Sequence, residues 1–145
     1  MSATEEFIPW EDEYALGVPL IDEQHEKLVG LLNALYDTCR PENTFAPENF
    51  KAAVETLLKH FALHFSTEKN IMARVDYPGA ERHNMEHEEF VKNGRAEFNN
   101  FKEGRLFVPS NFVNFAGDWT LSHIVMHDKR MVDYILDLAK KGQLN

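Results

Sequence analysis

Imidazole and carboxylate side chains recur about one helical turn apart on the apolar side of four successive segments, and few folds accommodate that pattern. In the first segment Ile21, His25, Leu28, Leu32 and Leu35 fall on one side. The second carries Phe50, Val54, Leu57, Phe61, His64, Phe65, Glu68 and Met72, and the third His83, His87, Phe90, Phe98 and Phe101. The fourth runs through Phe112, Phe115, Trp119, His123 and Met126. Residues four apart on an α-helix differ by about 40° around its axis, so His64 with Glu68, and His83 with His87, each point into one small volume. A buried polar group is costly unless something satisfies it. One metal centre in the middle of a bundle satisfies all four segments together. Imidazole with carboxylate and no thiolate suits iron, manganese, zinc or copper, whereas calcium and magnesium prefer all-oxygen shells. Spacing alone goes no further.

The four segments are separated by Pro, Gly and Asn, and none alternates with the period of a half-buried strand. The chain reads as all-α, with helices at about residues 20–38, 47–75, 80–103 and 110–141. Pro47 suits a first helical position, Pro78 ends the second helix, and Ser110 or Asn111 is the expected cap of the fourth. Gly94 costs the third helix some propensity. Short connections favour antiparallel neighbours, which predicts an up-down-up-down four-helix bundle. Ahead of it lies an extended leader, residues 1–19, whose Trp10, Tyr14 and Pro19 are expected to pack over one end.

With 145 residues the expectation is a single domain spanning 1–145. A formal net charge of -9 argues against nucleic acid or an anionic membrane surface as partner. No apolar run approaches membrane-spanning length, so no membrane span is expected. The polar, acidic start, Met1 to Glu6, lacks the features of a secretory signal, and the expected compartment is the cytoplasm. The single cysteine, Cys39, has no internal disulfide partner and is assigned no role.

Order, spacing and flanking residues then bring a family into view. The stretch W-E-D-E-Y-A-L-G-V-P-L-I-D-E-Q-H from Trp10 to His25 is followed by Leu28 and by H-F-S-T-E from His64 to Glu68. Next come Y-P at Tyr77, H-N-M-E-H from His83 to His87 with Phe90, and W-T-L-S-H-I-V-M-H-D-K from Trp119 to Lys129. Over nearly the whole chain these resemble the hemerythrin family, and within it the single-domain bacterial members. The resemblance implies a non-haem centre of two iron ions (Fe2+/Fe3+) with an oxo or hydroxo bridge. It makes His83, His87 and His123 ligands of one iron, His25 and His64 ligands of the other, and Glu68 and Asp128 bridges. It further implies reversible dioxygen binding, for oxygen carriage, delivery or storage, by a protein that is not an enzyme and is expected to be a monomer. The open coordination position is expected on the two-histidine side, sheltered from water by Leu28, Phe65, Trp119 and Ile124. Thr120 stands where leucine is expected, and its hydroxyl would either donate to the bound ligand or admit water.

Spacing and resemblance disagree at one ligand. Asp128 follows His123 by five residues, about 140° round an α-helix, and His127 at four is better placed by counting. The resemblance selects Asp128 and leaves His127 outside the ligand set. His60 extends the stripe of His64 and Glu68, but no family motif claims it. Among other classes, a ferritin-like di-iron oxidase carries Glu-x-x-His on two helices, and here only Asp22 before His25 comes near. No H-E-x-x-H zinc hydrolase motif is present. Oxygen or redox sensing, and iron, peroxide or nitric-oxide handling at the same centre, are the competing functions.

Overall fold

The computed structural model describes residues 5–142. Among them it contains helices and no strands, in the order of a short 3-10 turn (Asp12–Tyr14), α1 (Pro19–Asp37), α2 (Pro47–Arg74), α3 (Ala80–Lys102), α4 (Pro109–Ser122), a π-helical segment (His123–Asp128) and α5 (Lys129–Lys140). The expectation for Met1 to Glu6 falls partly outside that range. Helix α4, the π segment and α5 run on from one another as the fourth rod of the bundle. The rods pack α1 on α2, α2 on α3, α3 on α4, and α4 back on α1, the closed ring of a four-helix bundle. No described helix is long and apolar enough to cross a membrane.

Proline opens three of the rods: Pro19, Pro47 and Pro109 all sit in the first helical turn, where the missing N–H costs nothing. At the fourth rod this displaces the expected cap. Val108, in extended conformation, is the N-cap residue, so Ser110 and Asn111 already lie inside the helix. Between α2 and α3 the chain turns at Asp76, a non-glycine residue with φ of 50°, a conformation that aspartate tolerates better than most residues.

The core is not continuous. One apolar cluster gathers Leu28, Leu32, Leu35, Phe50, Phe61, Phe90, Phe112 and Ile124, and a second gathers Leu16, Ile21, Met72, Met131, Val132 and Ile135. On each rod that contributes to both clusters, the change from one to the other occurs at polar residues. His25 lies between Ile21 and Leu28, Glu68 between Phe65 and Met72, and Asp128 between Ile124 and Met131. A polar layer is thus enclosed between two greasy ones. Truncating a residue such as Phe61, 2% exposed, would cost about 3–5 kcal/mol.

The leader departs from its expected position. Instead of closing one end it runs the length of the bundle. Phe7 stacks on Tyr36 of α1 at 4.6 Å, and Ile8 exchanges two hydrogen bonds with the Asn33 side chain. Farther along, Leu16 enters the second apolar cluster, and the Asp22 carboxylate accepts from the N–H groups of Leu16 and Gly17. A row of backbone amides can lie against the bundle only where side chains satisfy them, and Asn33 and Asp22 do so at its two ends. Trp10 stays at the surface, edge-on to Tyr14.

Candidate metal centre

The seven side chains singled out by sequence, His25, His64, Glu68, His83, His87, His123 and Asp128, come together in the polar layer, each buried to 4% exposure or less. They form two overlapping groups. Glu68, His83, His87, His123 and Asp128 converge in one, and His25, His64, Glu68 and Asp128 in the other, so both carboxylates belong to both groups. The Nε2 atoms point inward: His87 Nε2 is 2.8 Å and His83 Nε2 3.2 Å from His123 Nε2. Glu68 Oε1 lies 3.1 Å from His83 Nε2 and 3.2 Å from His87 Nε2, and Asp128 Oδ1 lies 3.0 Å from His123 Nε2.

The π segment resolves the disagreement over Asp128. When hydrogen bonds run from residue i to i+5 instead of i+4, the turn widens by one residue, and side chains five apart come nearly into line. His123 and Asp128 are the two ends of that segment. His127, four after His123, is turned outward; it is about a quarter exposed, with its Nε2 3.2 Å from Glu86 Oε2. His60 is also away from the cluster, in a surface groove with Leu20, Gln24 and Leu63 between α1 and α2.

Two imidazoles are oriented from behind. His25 Nδ1 donates to the Tyr14 carbonyl at 3.1 Å. His64 Nδ1 donates to Gln24 Oε1 at 2.8 Å, Gln24 Nε2 donates to Thr67 Oγ1, and the Thr67 hydroxyl donates to the Leu63 carbonyl. With the proton held on Nδ1, Nε2 presents a lone pair to the interior. There His25 Nε2 meets Asp128 Oδ2 at 2.9 Å, and His64 Nε2 meets Glu68 Oε2 at 3.2 Å. Lone pairs facing at such distances repel unless a cation or a proton lies between them. Among the described residues, buried His64 Nε2, Glu68 Oε2 and Asp128 Oδ1 have no hydrogen-bond partner. A borderline-hard cation bound by nitrogen and oxygen answers all of these at once, so the donor set fits a metal centre.

Electrostatics point the same way. Burial would lower the pKa of His64, but the Glu68 and Asp128 carboxylates prevail and raise it to about 10. For His83 burial also lowers the pKa, and the hydrogen bonds and charges of Asp128 and Glu68 raise it to about 9. Burial and the Asp128 charge push Glu68 up, yet the histidines hold it at about 2. Burial likewise raises Asp128, and its contacts with His123, His25, His64 and His83 bring it well below its ordinary value. Burial lowers His87. Two carboxylates stay ionised in a dry layer because positive charge is held around them.

Of the four residues expected to shelter the two-histidine side, two lie against the three-histidine group instead. Phe65 stacks on His87 at 3.8 Å, and Trp119 stacks on His123 at 4.5 Å, so both cover the three-histidine group. Phe65 follows His64 by one residue, about 100° round α2, and so turns toward α3. Trp119 precedes His123 by four and lies directly along its face. Leu28 and Ile124 are buried in the adjoining apolar cluster. Thr120 is 2% exposed, and its hydroxyl donates to the Ala116 carbonyl at 2.7 Å. Its hydrogen is therefore committed to its own helix and is not available to a bound ligand. Sequence reasoning passed over Tyr14, Gln24 and Thr67, which hold His25 and His64 in place from behind. Their one signal is adjacency, Gln24 lying beside His25.

A family profile described as the hemerythrin HHE cation-binding domain matches residues 16–135. The bacteriohemerythrin of Clostridium acetobutylicum is 29% identical over 130 residues, covering 86% of this chain and 98% of that one. The bacteriohemerythrin of Methylococcus capsulatus is 26% identical over 117 residues, 81% of this chain and 87% of that one. Among solved structures, a hemerythrin described as wild-type superposes with a TM-score of 0.77 at 25% identity, over 85% of this chain and 93% of that one. A hemerythrin variant with alanine in place of a leucine gives 0.82 at 24% identity, over 90% and 98%.

Proposed function

Because the chain belongs to the hemerythrin family, we propose that it binds dioxygen reversibly at a non-haem di-iron centre, for oxygen carriage, delivery or storage. The observation that carries the reading is the sharing of Glu68 and Asp128 by both donor groups. Two carboxylates common to two clusters are what a pair of bridged ions requires. Under this reading His83, His87 and His123 would hold one iron and His25 and His64 the other. Ferrous ions bound there would supply the reversible redox chemistry that oxygen binding requires.

The chain's own residues have three tasks. Tyr14 and Gln24 fix His25 and His64 with Nε2 toward the metals. Glu68 and Asp128 balance the ionic charge in a layer that water does not reach. Leu28, Phe65, Trp119 and Ile124 keep the layer dry, which protects the oxygenated form from irreversible oxidation. On this reading the protein is a binding protein rather than an enzyme, monomeric and cytoplasmic.

One observation favours a second reading. A surface groove of about 800 Å³ between α2 and α3 has Phe65 and His87 in its lining, so the three-histidine group stands close to solvent there. Such access suits peroxide or nitric-oxide handling. The optical spectrum of iron-loaded protein, reduced without oxygen, exposed to air and returned to an oxygen-free atmosphere, separates the two. Charge-transfer bands that appear in air and vanish on deoxygenation support reversible binding. Direct passage to a ferric spectrum that deoxygenation leaves unchanged overturns it.

A further inference from the structure

Behind the inward-facing atoms of the cluster, the imidazole of His123 poses an unanswered question. His25 and His64 each have a fixed acceptor for Nδ1–H, but His123 Nδ1 is buried without a hydrogen-bond partner among the described residues. The polar atom that faces it comes from α3. Glu86 Oε2 lies 3.8 Å from His123 Nδ1 and 3.2 Å from His127 Nε2, while Glu86 Oε1 is 3.7 Å from Arg82 Nε. The carboxylate is only about a quarter exposed, whereas Arg82 is 85% exposed, so the inner oxygen has the better-shielded contacts. The His127 ring lies 5.3 Å from the His123 ring, and the two imidazoles flank one carboxylate oxygen.

We infer that Glu86 is the positioning residue of His123, accepting its Nδ1–H, and that His127 steadies the Glu86 carboxylate as a second donor. The 3.8 Å separation closes by a small rotation of the glutamate side chain, well within its torsional freedom. A carboxylate behind a ligating imidazole fixes its tautomer and ring plane and strengthens it as a donor. The two sides of the centre are then unequal: His25 and His64 lean on a backbone carbonyl and an amide, both neutral, and His123 leans on an anion. Through His123, the carboxylate would add electron density to the metal held on that side and lower its potential. This also gives a role to His127, which the spacing of residues singled out and the cluster itself does not use.

The inference rests on His123 as a metal ligand, and not on the identity of the metal or on oxygen binding. The test therefore begins with zinc. Zinc affinity is measured by competition with a chromophoric chelator for the natural chain, Glu86→Ala, Glu86→Gln, His127→Ala and, as a control, the exposed Glu89→Ala. Glu86→Ala is expected to weaken binding roughly 10–100-fold and His127→Ala by less, with Glu89→Ala unchanged. Glu86→Gln keeps an acceptor oxygen without the charge, so it recovers most of the affinity. Iron-loaded Glu86→Gln nevertheless shows a more positive midpoint potential, a shift that a merely structural role does not produce. Helical circular dichroism confirms that each variant is folded. Zinc affinity of folded Glu86→Ala within twofold of the natural chain, or an unmoved potential in Glu86→Gln, overturns the inference and leaves Glu86 a surface partner of Arg82. A zinc result that depends on Glu86 in a protein that never binds oxygen reversibly leaves the inference standing while the functional reading falls.

Discussion

Metal and protons compete for the same lone pairs in this cluster, and the structure says how many protons must leave. In metal-stripped protein near neutral pH, His64 and His83 carry a second proton, because their pKa values are raised to about 10 and about 9. Glu68, held at about 2, and Asp128, held well below its ordinary value, are already ionised and release none. The His64 proton that leaves is the one on Nε2, since Nδ1–H is committed to Gln24. Zinc binding should therefore expel a proton from each of these two imidazoles. The logarithm of the overall affinity for two zinc ions, one in each donor group, should rise by about two for each pH unit from about pH 7 to 8.5, near 100-fold per unit. The slope should fall to about one between the two pKa values and to zero above about 10. A chelator of known pH dependence reads the affinity, and calorimetry in buffers of different ionisation enthalpy counts the protons directly. A flat profile over the first interval would mean that the carboxylates do not hold protons on these imidazoles, and the electrostatic account of the cluster would be wrong.

Stability of the stripped protein should follow the same groups. The contribution of His64 and His83 is full below their ordinary value of 6.5 and is lost as pH rises through about 9 to 10. That of Glu68 is present above its ordinary 4.5 and lost as pH falls through about 2, so chemical denaturation should show the maximum between 4.5 and 6.5. Gly94→Ala should stabilise by about 1 kcal/mol, because it removes a helix-interior glycine and the added methyl meets nothing within 4 Å among the described residues. Gly117→Ala should lower the melting temperature, since its methyl would sit 2.8 Å from the Phe7 ring and displace the leader. An equal rise in both variants would contradict the packing described for the leader. Thr120→Leu should slow decay of the oxygenated form to the ferric one in a stopped-flow record, by filling space at a position where the hydroxyl serves only Ala116. An unchanged or faster decay would count against water entry at this residue.

The helices and the buried faces that carry the histidines were legible because both are written at local spacing, whereas the choice of Asp128 came from the family resemblance. Apolar residues at three- and four-residue steps fix which side of α1 and α2 is buried, and the histidines share that side. What escaped depends on partners distant in the chain or on a rare local geometry. Nothing in H-I-V-M-H-D announces a π segment, and at ordinary helical spacing His127 looked the better ligand. The path of the leader hangs on Asn33 and Asp22, whose hydrogen bonds to it leave no mark in the spacing of α1. Phe65 and Trp119 were recognisable as shelter, but which imidazole each covers follows from how α2 and α4 are turned toward α3. Glu86 and Gln24 matter because of side chains 37 and 40 positions away, His123 and His64, and composition holds no trace of that.

The contact of His25 with Asp128 joins residues 103 positions apart, the first and last members of the cluster in chain order. A nascent chain cannot complete the cluster until the π segment has been made, whereas the imidazole pair on α3 can form as soon as that helix does. A metal captured across the finished set acts as a clasp on the long loop between His25 and Asp128. Its grip removes freedom mainly from the unfolded chain, as a cross-link does. Metal loading would thus report that all four rods have come together, and its loss would release the restraint that the cluster places across them.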